Sequence, residues 1–201
     1  MFKEFGQTLI LEGTACLGKT TVLQRLAGEG FSVVVGDYAE DCIQYNVFRD
    51  KDLNNVLELA YMLFQFSKLK PNTLHDRGPL SSLAYRMVHD ILNRRHSLQD
   101  FEILFAQLPA QLWNTFRQLN TFMVVEHDIK GGLQRMILRN NGIDVMSEEY
   151  IDVQNRVFEF LANYTGAKVI VHKQGESMEE WINALCEVIR TTLLNDLREE
   201  E

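Results

Sequence analysis

At 201 residues, 46% hydrophobic and 24% charged, the chain has the size and apolar content of one globular domain spanning 1–201 that buries most of its apolar surface. A net charge of −8 argues against a broad nucleic-acid-binding face and leaves a local basic cleft, enough for a small anionic ligand. Cys16, Cys42 and Cys186, odd in number and without C-x-x-C spacing, suggest neither a disulfide framework nor a zinc site. They fit a reducing compartment: the cytoplasm, or the cytoplasm or nucleus of a host for a viral chain.

The stretch 1–5 carries an acid and no long apolar core, and no later run reaches ~18 apolar residues without charge, so neither export nor a membrane span is expected. The apolar run 8–11 predicts a strand and 21–26 a helix. Between them Gly13, Thr14, Ala15, Cys16, Leu17, Gly18, Lys19 and Thr20 complete the phosphate-loop pattern G-x-x-x-x-G-K-T. An ordinary glycine-rich turn would account for Gly13 and Gly18 but not for the Lys-Thr pair. Backbone N–H groups wrap polyphosphate only where no Cβ intrudes, and the positive end of the helix that continues through Thr21 faces the anion. Lys19 is expected on the β- and γ-phosphate oxygens and the Thr20 hydroxyl on Mg²⁺, so the expected ligands are ATP and Mg²⁺. Cys16 serves as the small residue the loop needs there, or as an oxidation-sensitive position.

Runs 31–35, 73–75, 121–126 and 168–172 predict four more strands, and helical spacing of apolar residues covers 53–69, 101–119 and 181–194. This alternation is the pattern of an α/β protein with a five-stranded parallel sheet and helices on both faces, and Pro71 and Pro109 mark local breaks in it. Ligands of such sheets gather at the carboxyl ends of the strands.

Asp37, with Tyr38 beside it, follows the second strand and suits a general base for an attacking hydroxyl, or a helix cap. Phe64 and Gln65 offer a ring and an amide that can stack on and pair with a base, although a ring at this spacing also suits the core. Asp76 follows the third strand, where a carboxylate can hold Mg²⁺, and Arg77 can grip a phosphate with its planar fork. The alternative for this pair is a cap and a surface charge before the Gly78-Pro79 turn. Arg135 and Arg139 lie one helical turn apart and can close over a transferring phosphoryl group. They define a lid over about 130–147, with 140–142 as its hinge, unless the spacing is that of a solvated basic face. Residues 196–201 read as an acidic, solvated tail.

Taken together these segments resemble the thymidylate kinase and deoxyribonucleoside kinase group of phosphate-loop kinases. Asp76-Arg77-x-x-x-Ser81-x-x-Ala84-Tyr85 is similar to the D-R-x-x-x-S-x-x-A-Y stretch of thymidylate kinases, and Glu149-Tyr150-Ile151 through Arg156-Val157-Phe158 is similar to the helix after their lid. The resemblance implies a nucleoside/nucleotide kinase fold with a lid, Asp76 on the metal, Arg77 on the acceptor phosphate, and Ser81 and Tyr85 on the acceptor side. It further implies Arg135 and Arg139 as lid arginines, and Lys173 and Gln174 around adenine. The chain departs from thymidylate kinases at Ala15-Cys16-Leu17, where they carry an acid. It also departs at Gly36-Asp37-Tyr38, where they carry an arginine and where deoxyribonucleoside kinases carry a carboxylate. Residues 88–120 match neither.

The leading expectation is phosphoryl transfer from MgATP to a pyrimidine deoxynucleotide, dTMP first. The alternative is a hydroxyl kinase of a deoxynucleoside or hydroxymethylated pyrimidine with Asp37 as base. A further alternative is a nucleotide-gated regulatory ATPase, which would not need Arg77, Arg135 and Arg139. A nucleoside or nucleotide is the expected partner, with no nucleic acid or membrane, and a homodimer through 53–69 is plausible from its apolar spacing.

Overall fold

The computed structural model describes residues 8–36, 41, 44, 54–142 and 144–198. Strands β1 (Leu9–Gly13), β2 (Val33–Val35), β3 (Leu74–Asp76), β4 (Asn120–Glu126) and β5 (Lys168–His172) form one sheet in the order β2-β3-β1-β4-β5. Every pairing is parallel. The connecting helices are α1 (Lys19–Gly28), α2 (Asn54–Lys68), α3 (Leu80–Leu92), α4 (Leu98–Gln107), α5 (Ala110–Arg117), α6 (Ile129–Arg139), α7 (Glu148–Thr165) and α8 (Met178–Arg198).

Side chains alternate across a strand, so each buried strand feeds two cores. Leu9, Leu11, Phe122 and Val124 join Val22, Leu23 and Leu26 of α1 and Trp181, Leu185 and Ile189 of α8. Their neighbours Ile10, Met123 and Val125 point the other way, onto Ala84, Met87 and Val88 of α3 and Val157, Phe158 and Leu161 of α7. The chain lays β2 and β3 on one side of β1 and β4 and β5 on the other. The loop after β1 therefore opens where the strand order reverses, the point at which parallel sheets form a ligand crevice.

The stretch 101–119 is two helices rather than one. Leu108 and Pro109 are extended, because proline offers no N–H to an α-helical ladder and disfavours helical backbone in the residue before it. Both α4 and α8 start three residues ahead of their apolar spacing, each on a capping box: Ser97 with Asp100, and Ser177 with Glu180. Residues 88–120, which matched nothing in sequence, supply an aromatic cluster. Phe105 meets Trp113, Phe160 and Tyr164 at ring separations of 4.8, 5.4 and 5.2 Å. The tail is helical as far as Arg198; residues 199–201 lie outside the described residues.

The tightest point of the fold is Gly13, where β1 ends. Its φ is +127°, and a Cβ there would fall inside the backbone of Val124 on β4. Gly13→Ala is expected to cost roughly 3 kcal/mol or more and to remove the cooperative melt. A soluble variant melting at the wild-type temperature in a calorimetric scan would show that β1 and β4 are not packed this closely.

Candidate active site

The loop 13–20 is held from inside by its own backbone and side chains. Thr14 N–H donates to Val124 O at 2.9 Å, and the Thr14 hydroxyl donates to Asn155 Oδ1 at 2.6 Å. Ala15 N–H donates to Gln154 Oε1 at 3.1 Å, and the buried Trp181 indole donates to Leu17 O at 2.9 Å. Thr14, Ala15 and Leu17 therefore face the protein and shape the loop. Cys16 and Gly18 turn the chain in left-handed backbone, at φ 60° and 69°. The first intrahelical bond of α1 runs from Val22 N–H to Gly18 O. The N–H groups of Lys19, Thr20 and Thr21 thus stand at the positive end of α1, as an anion cradle requires.

Gln154 and Asn155, two buried polar residues in the middle of α7, do much of this holding. Asn155 also accepts from Glu126 N–H at 2.9 Å and donates to the Glu126 carbonyl. The sequence carries a signal for them, an amide pair inside an otherwise apolar helix face.

The Thr20 hydroxyl donates to Asp76 Oδ2 at 2.6 Å, across the loop from α1 to the end of β3. Two oxygens meeting beside a phosphate cradle suit Mg²⁺, which takes one or two protein oxygens and keeps several waters. Among the described residues no cluster of three His, Cys, Asp or Glu side chains could hold a metal without such help. Arg77 follows in left-handed backbone, φ 69°, its guanidinium 5.0 Å from the Tyr85 ring centre and Nη1 donating to the Tyr85 hydroxyl at 2.9 Å. Arg77 is thereby braced on an aromatic face.

Sequence reasoning passed over Glu12, the last side chain before the loop. It is fully buried; Oε1 accepts from Gly78 N–H at 2.6 Å, and the Ser81 hydroxyl lies 2.8 and 2.7 Å from its two oxygens. Burial pushes its carboxyl above the ordinary carboxylate value, against the opposing pull of Arg77, Ser81 and the Gly78 N–H. The signal was an acid at the end of the apolar run TLIL, which periodicity treats as a strand terminus.

Lys19 folds back on the loop, Nζ donating to the Gly13 carbonyl at 2.9 Å and the Thr14 carbonyl at 2.6 Å. Burial and the nearby Arg77 pull its ammonium down to about 7. On α6, Arg135 Nε donates to the Cys16 carbonyl at 3.3 Å and Arg139 Nη1 lies 3.9 Å from Cys16 Sγ, so both arginines lie over the loop. Asn140, at φ 40°, ends α6 at the expected break. Beyond it the Asp144 carboxylate accepts from Asn141 and from the Tyr150 hydroxyl, a contact with no sequence signature.

The Gln65 amide carbonyl accepts from the Ser82 hydroxyl at 3.3 Å, which ties α2 to the Ser81 side of the site. Phe64 stacks against Tyr61 at 6.1 Å and carries Lys68 over its face at 4.8 Å. Lys173 and Gln174 occupy an exposed turn after β5, closed by Gly175 at φ +85° and by Lys173 N–H on Glu176. Asp37 and Tyr38 lie outside the described residues.

No family model matches the chain. It is 25% identical over 171 residues to an uncharacterised 33.9 kDa protein from the PE 3' region of Lymantria dispar multicapsid nuclear polyhedrosis virus. That match covers 81% of this chain and 56% of the viral protein, so the chain spans little more than half the length of this relative. Among solved structures it is similar to deoxyadenosine kinase from M. mycoides with bound dCTP, at TM-score 0.60 and 16% identity over 92% of this chain and 99% of that one. The same kinase with bound dATP gives TM-score 0.59 at 16% identity, covering 91% of this chain and 99% of that one. Shikimate kinase from Acinetobacter baumannii with shikimate gives TM-score 0.52 at 13% identity, covering 96% of each chain. The fold is that of the phosphate-loop kinases: α/β, with a five-stranded parallel sheet between helical layers. No helix among the described residues is long and apolar enough to cross a membrane.

The state of Lys19 would give polyphosphate binding at the loop a pH dependence of defined sign. Polyphosphate takes the charged ammonium, so below about 7 binding needs no proton. Above that value each binding event takes up a proton, and affinity falls by up to about tenfold per pH unit. Titration calorimetry with MgATP in two buffers of different ionisation enthalpy is expected to show this uptake from about pH 7 upward. Level affinity without uptake up to about pH 9 would contradict the lowered proton affinity of Nζ.

Proposed function

We propose that the chain is a nucleoside or nucleotide kinase, transferring the terminal phosphoryl group of ATP to the hydroxyl of a pyrimidine deoxynucleoside. The observation that carries this reading is the junction at the ends of β1 and β3. Thr20 and Asp76 meet beside the cradle, while Glu12 and Arg77 lie next to them on the opposite side from α1. Mg²⁺ bound at Thr20 and Asp76 would neutralise charge on the β- and γ-phosphates.

The acceptor oxygen attacks the γ-phosphorus, and the new P–O bond forms as the bond to the β–γ bridging oxygen breaks, releasing ADP. The hydroxyl proton passes to a carboxylate. Glu12 suits this role because burial raises its proton affinity, and because among the described residues its second oxygen is bonded only by the Ser81 hydroxyl, a rotor an acceptor hydroxyl can displace. Asp37 is the other carboxylate proposed for it. Lys19, Arg77, Arg135 and Arg139 supply positive charge to the phosphoryl oxygens, so catalysis comes mainly from alignment and charge neutralisation. Gln65, oriented by Ser82, is proposed to pair with the base, Tyr38 and Phe64 to flank it, and Lys173 and Gln174 to cradle adenine.

A monophosphate acceptor, dTMP first, is the second reading. It is supported by the braced fork of Arg77 within the D-R-x-x-x-S-x-x-A-Y stretch, and it needs no base, because a phosphate is largely ionised near neutral pH. The exposed stripe Val56, Leu59 and Leu63 along α2 supports a homodimer through that helix.

A panel of deoxynucleosides and their monophosphates with labelled ATP, read by product, tests the proposal. Glu12→Gln is expected to lower kcat for a nucleoside by about 10²–10⁴ while MgATP binding stays within a few-fold. The base works ionised and its proton affinity is raised, so the acid limb of kcat/KM should lie above the ordinary carboxylate value of 4.5. Products formed only from monophosphates, with Glu12→Gln retaining most activity, would favour the second reading. ADP release that no acceptor alters would leave the nucleotide-gated ATPase in place of both.

A further inference from the structure

Behind the lid lies an ion pair between a buried carboxylate and a partly buried guanidinium, a pair that the transfer reaction does not itself require. Glu126, the last residue of β4, is 1% exposed and pairs through Oε2 with Nη2 of Arg135 on α6. Its Oε1 accepts from Asp128 N–H at 2.7 Å and lies 2.8 Å from His172 Nδ1. His172 is fully buried at the end of β5, with Nε2 3.1 Å from the Glu176 carbonyl and its ring edge-on to Trp181 at 5.2 Å. The Trp181 indole donates to Leu17 in the phosphate loop, and Arg135 Nε donates to Cys16 beside it. These contacts form a closed circuit: loop, lid arginine, Glu126, His172, Trp181, loop.

The circuit spends one edge of the Arg135 fork, Nε and Nη2, on the protein. Nη1 has no acceptor among the described residues. Apolar side chains would hold α6 against the sheet at lower desolvation cost than a buried carboxylate paired with a guanidinium. What a carboxylate does that they cannot is fix the orientation of a guanidinium.

We propose that Glu126 is a positioning residue: fixed by Asp128 N–H and backed by His172, it holds one edge of Arg135 so that the other edge meets the outermost phosphate during transfer. This inference rests on the nucleotide-binding reading above. It assigns to β4 and β5 the presentation of the lid arginine, with no contact of their own to substrate.

Trp181 sits in the circuit and is one of two tryptophans in the chain, so intrinsic fluorescence reports on it. MgADP alone and MgADP with aluminium fluoride, a mimic of the phosphoryl group in flight, are titrated into wild type, Glu126→Gln, Arg135→Ala and the double variant. Each single variant is expected to weaken binding of the fluoride complex by roughly tenfold or more, with MgADP alone within about threefold. The double variant is expected to be no weaker than Arg135→Ala, because Glu126 acts through that arginine.

Losses that multiply in the double variant, or a loss as large for MgADP alone, would make Glu126 a structural residue and overturn the assignment. So would unchanged fluoride-complex binding in Glu126→Gln. Should Glu126→Gln fail to fold, Arg135→Lys keeps the charge but not the fork; loss of fluoride-complex binding supports the proposal and full retention overturns it. A wild type that binds no MgADP would remove the nucleotide reading and this inference together. A wild type that binds MgADP while the double-variant losses multiply removes this inference alone.

Discussion

The site depends on how closely β1 approaches β4 at Gly13. With no Cβ there, the strand ends against the Val124 carbonyl, and the next N–H, that of Thr14, bonds that same oxygen before the chain turns away. This places the loop at the carboxyl edge of the sheet, between the ends of β3 and β4. Asp76, which accepts from the Thr20 hydroxyl, and Glu126, which pairs with Arg135, come from those two strand ends. Parallel register then does the rest, because Leu11 pairs with Asp76 on one side and Gly13 with Val124 on the other. Residues far apart in sequence reach the loop with no long side-chain excursion.

A second consequence is electrostatic. Glu12, Lys19, Asp76 and Arg77 crowd the crevice, and two of them are shifted against their charged forms: Glu12 by burial, Lys19 by burial and by Arg77. An anion with several charged oxygens relieves the crowding of Lys19 against Arg77, so the protein without ligand stores a preference for one. The same arrangement costs stability. Lys19 is depressed in the folded protein, so between about 7 and its ordinary value of 10.5 the unfolded chain binds more protons and stability rises with pH; below about 7 the full cost of the buried ammonium is present.

The parallel sheet, the loop and the placement of Asp76, Arg135 and Arg139 beside it were legible in sequence, since each rests on local pattern: short continuous apolar runs, a glycine-spaced motif, and cations one helical turn apart. What was illegible is what pattern cannot carry. Glu12 hides at the end of an apolar run, where burial is decided by Gly78 and Ser81 some seventy residues away. Gln154 and Asn155 look like polar interruptions of an amphipathic helix until α7 is packed under the loop. The break at Pro109 was visible, yet apolar spacing on both sides masked that it separates two helices, both feeding the aromatic cluster around Phe105.

The helix α7 shows why such residues escape a reading by motif. Its apolar face fills the core against β4, and its two amides bind the loop on one side and the β4 backbone at Glu126 on the other. Replacing either amide by an apolar residue would leave the helix, its caps and the core intact while stripping a partner from a buried loop N–H or hydroxyl. The desolvated group would then carry the penalty, of order 1–3 kcal/mol, and the loop would be free to relax away from the geometry that presents its remaining N–H groups. The precision of the cradle thus resides less in its own glycines, which only permit the turn, than in a helix over a hundred residues later that fixes which turn is taken.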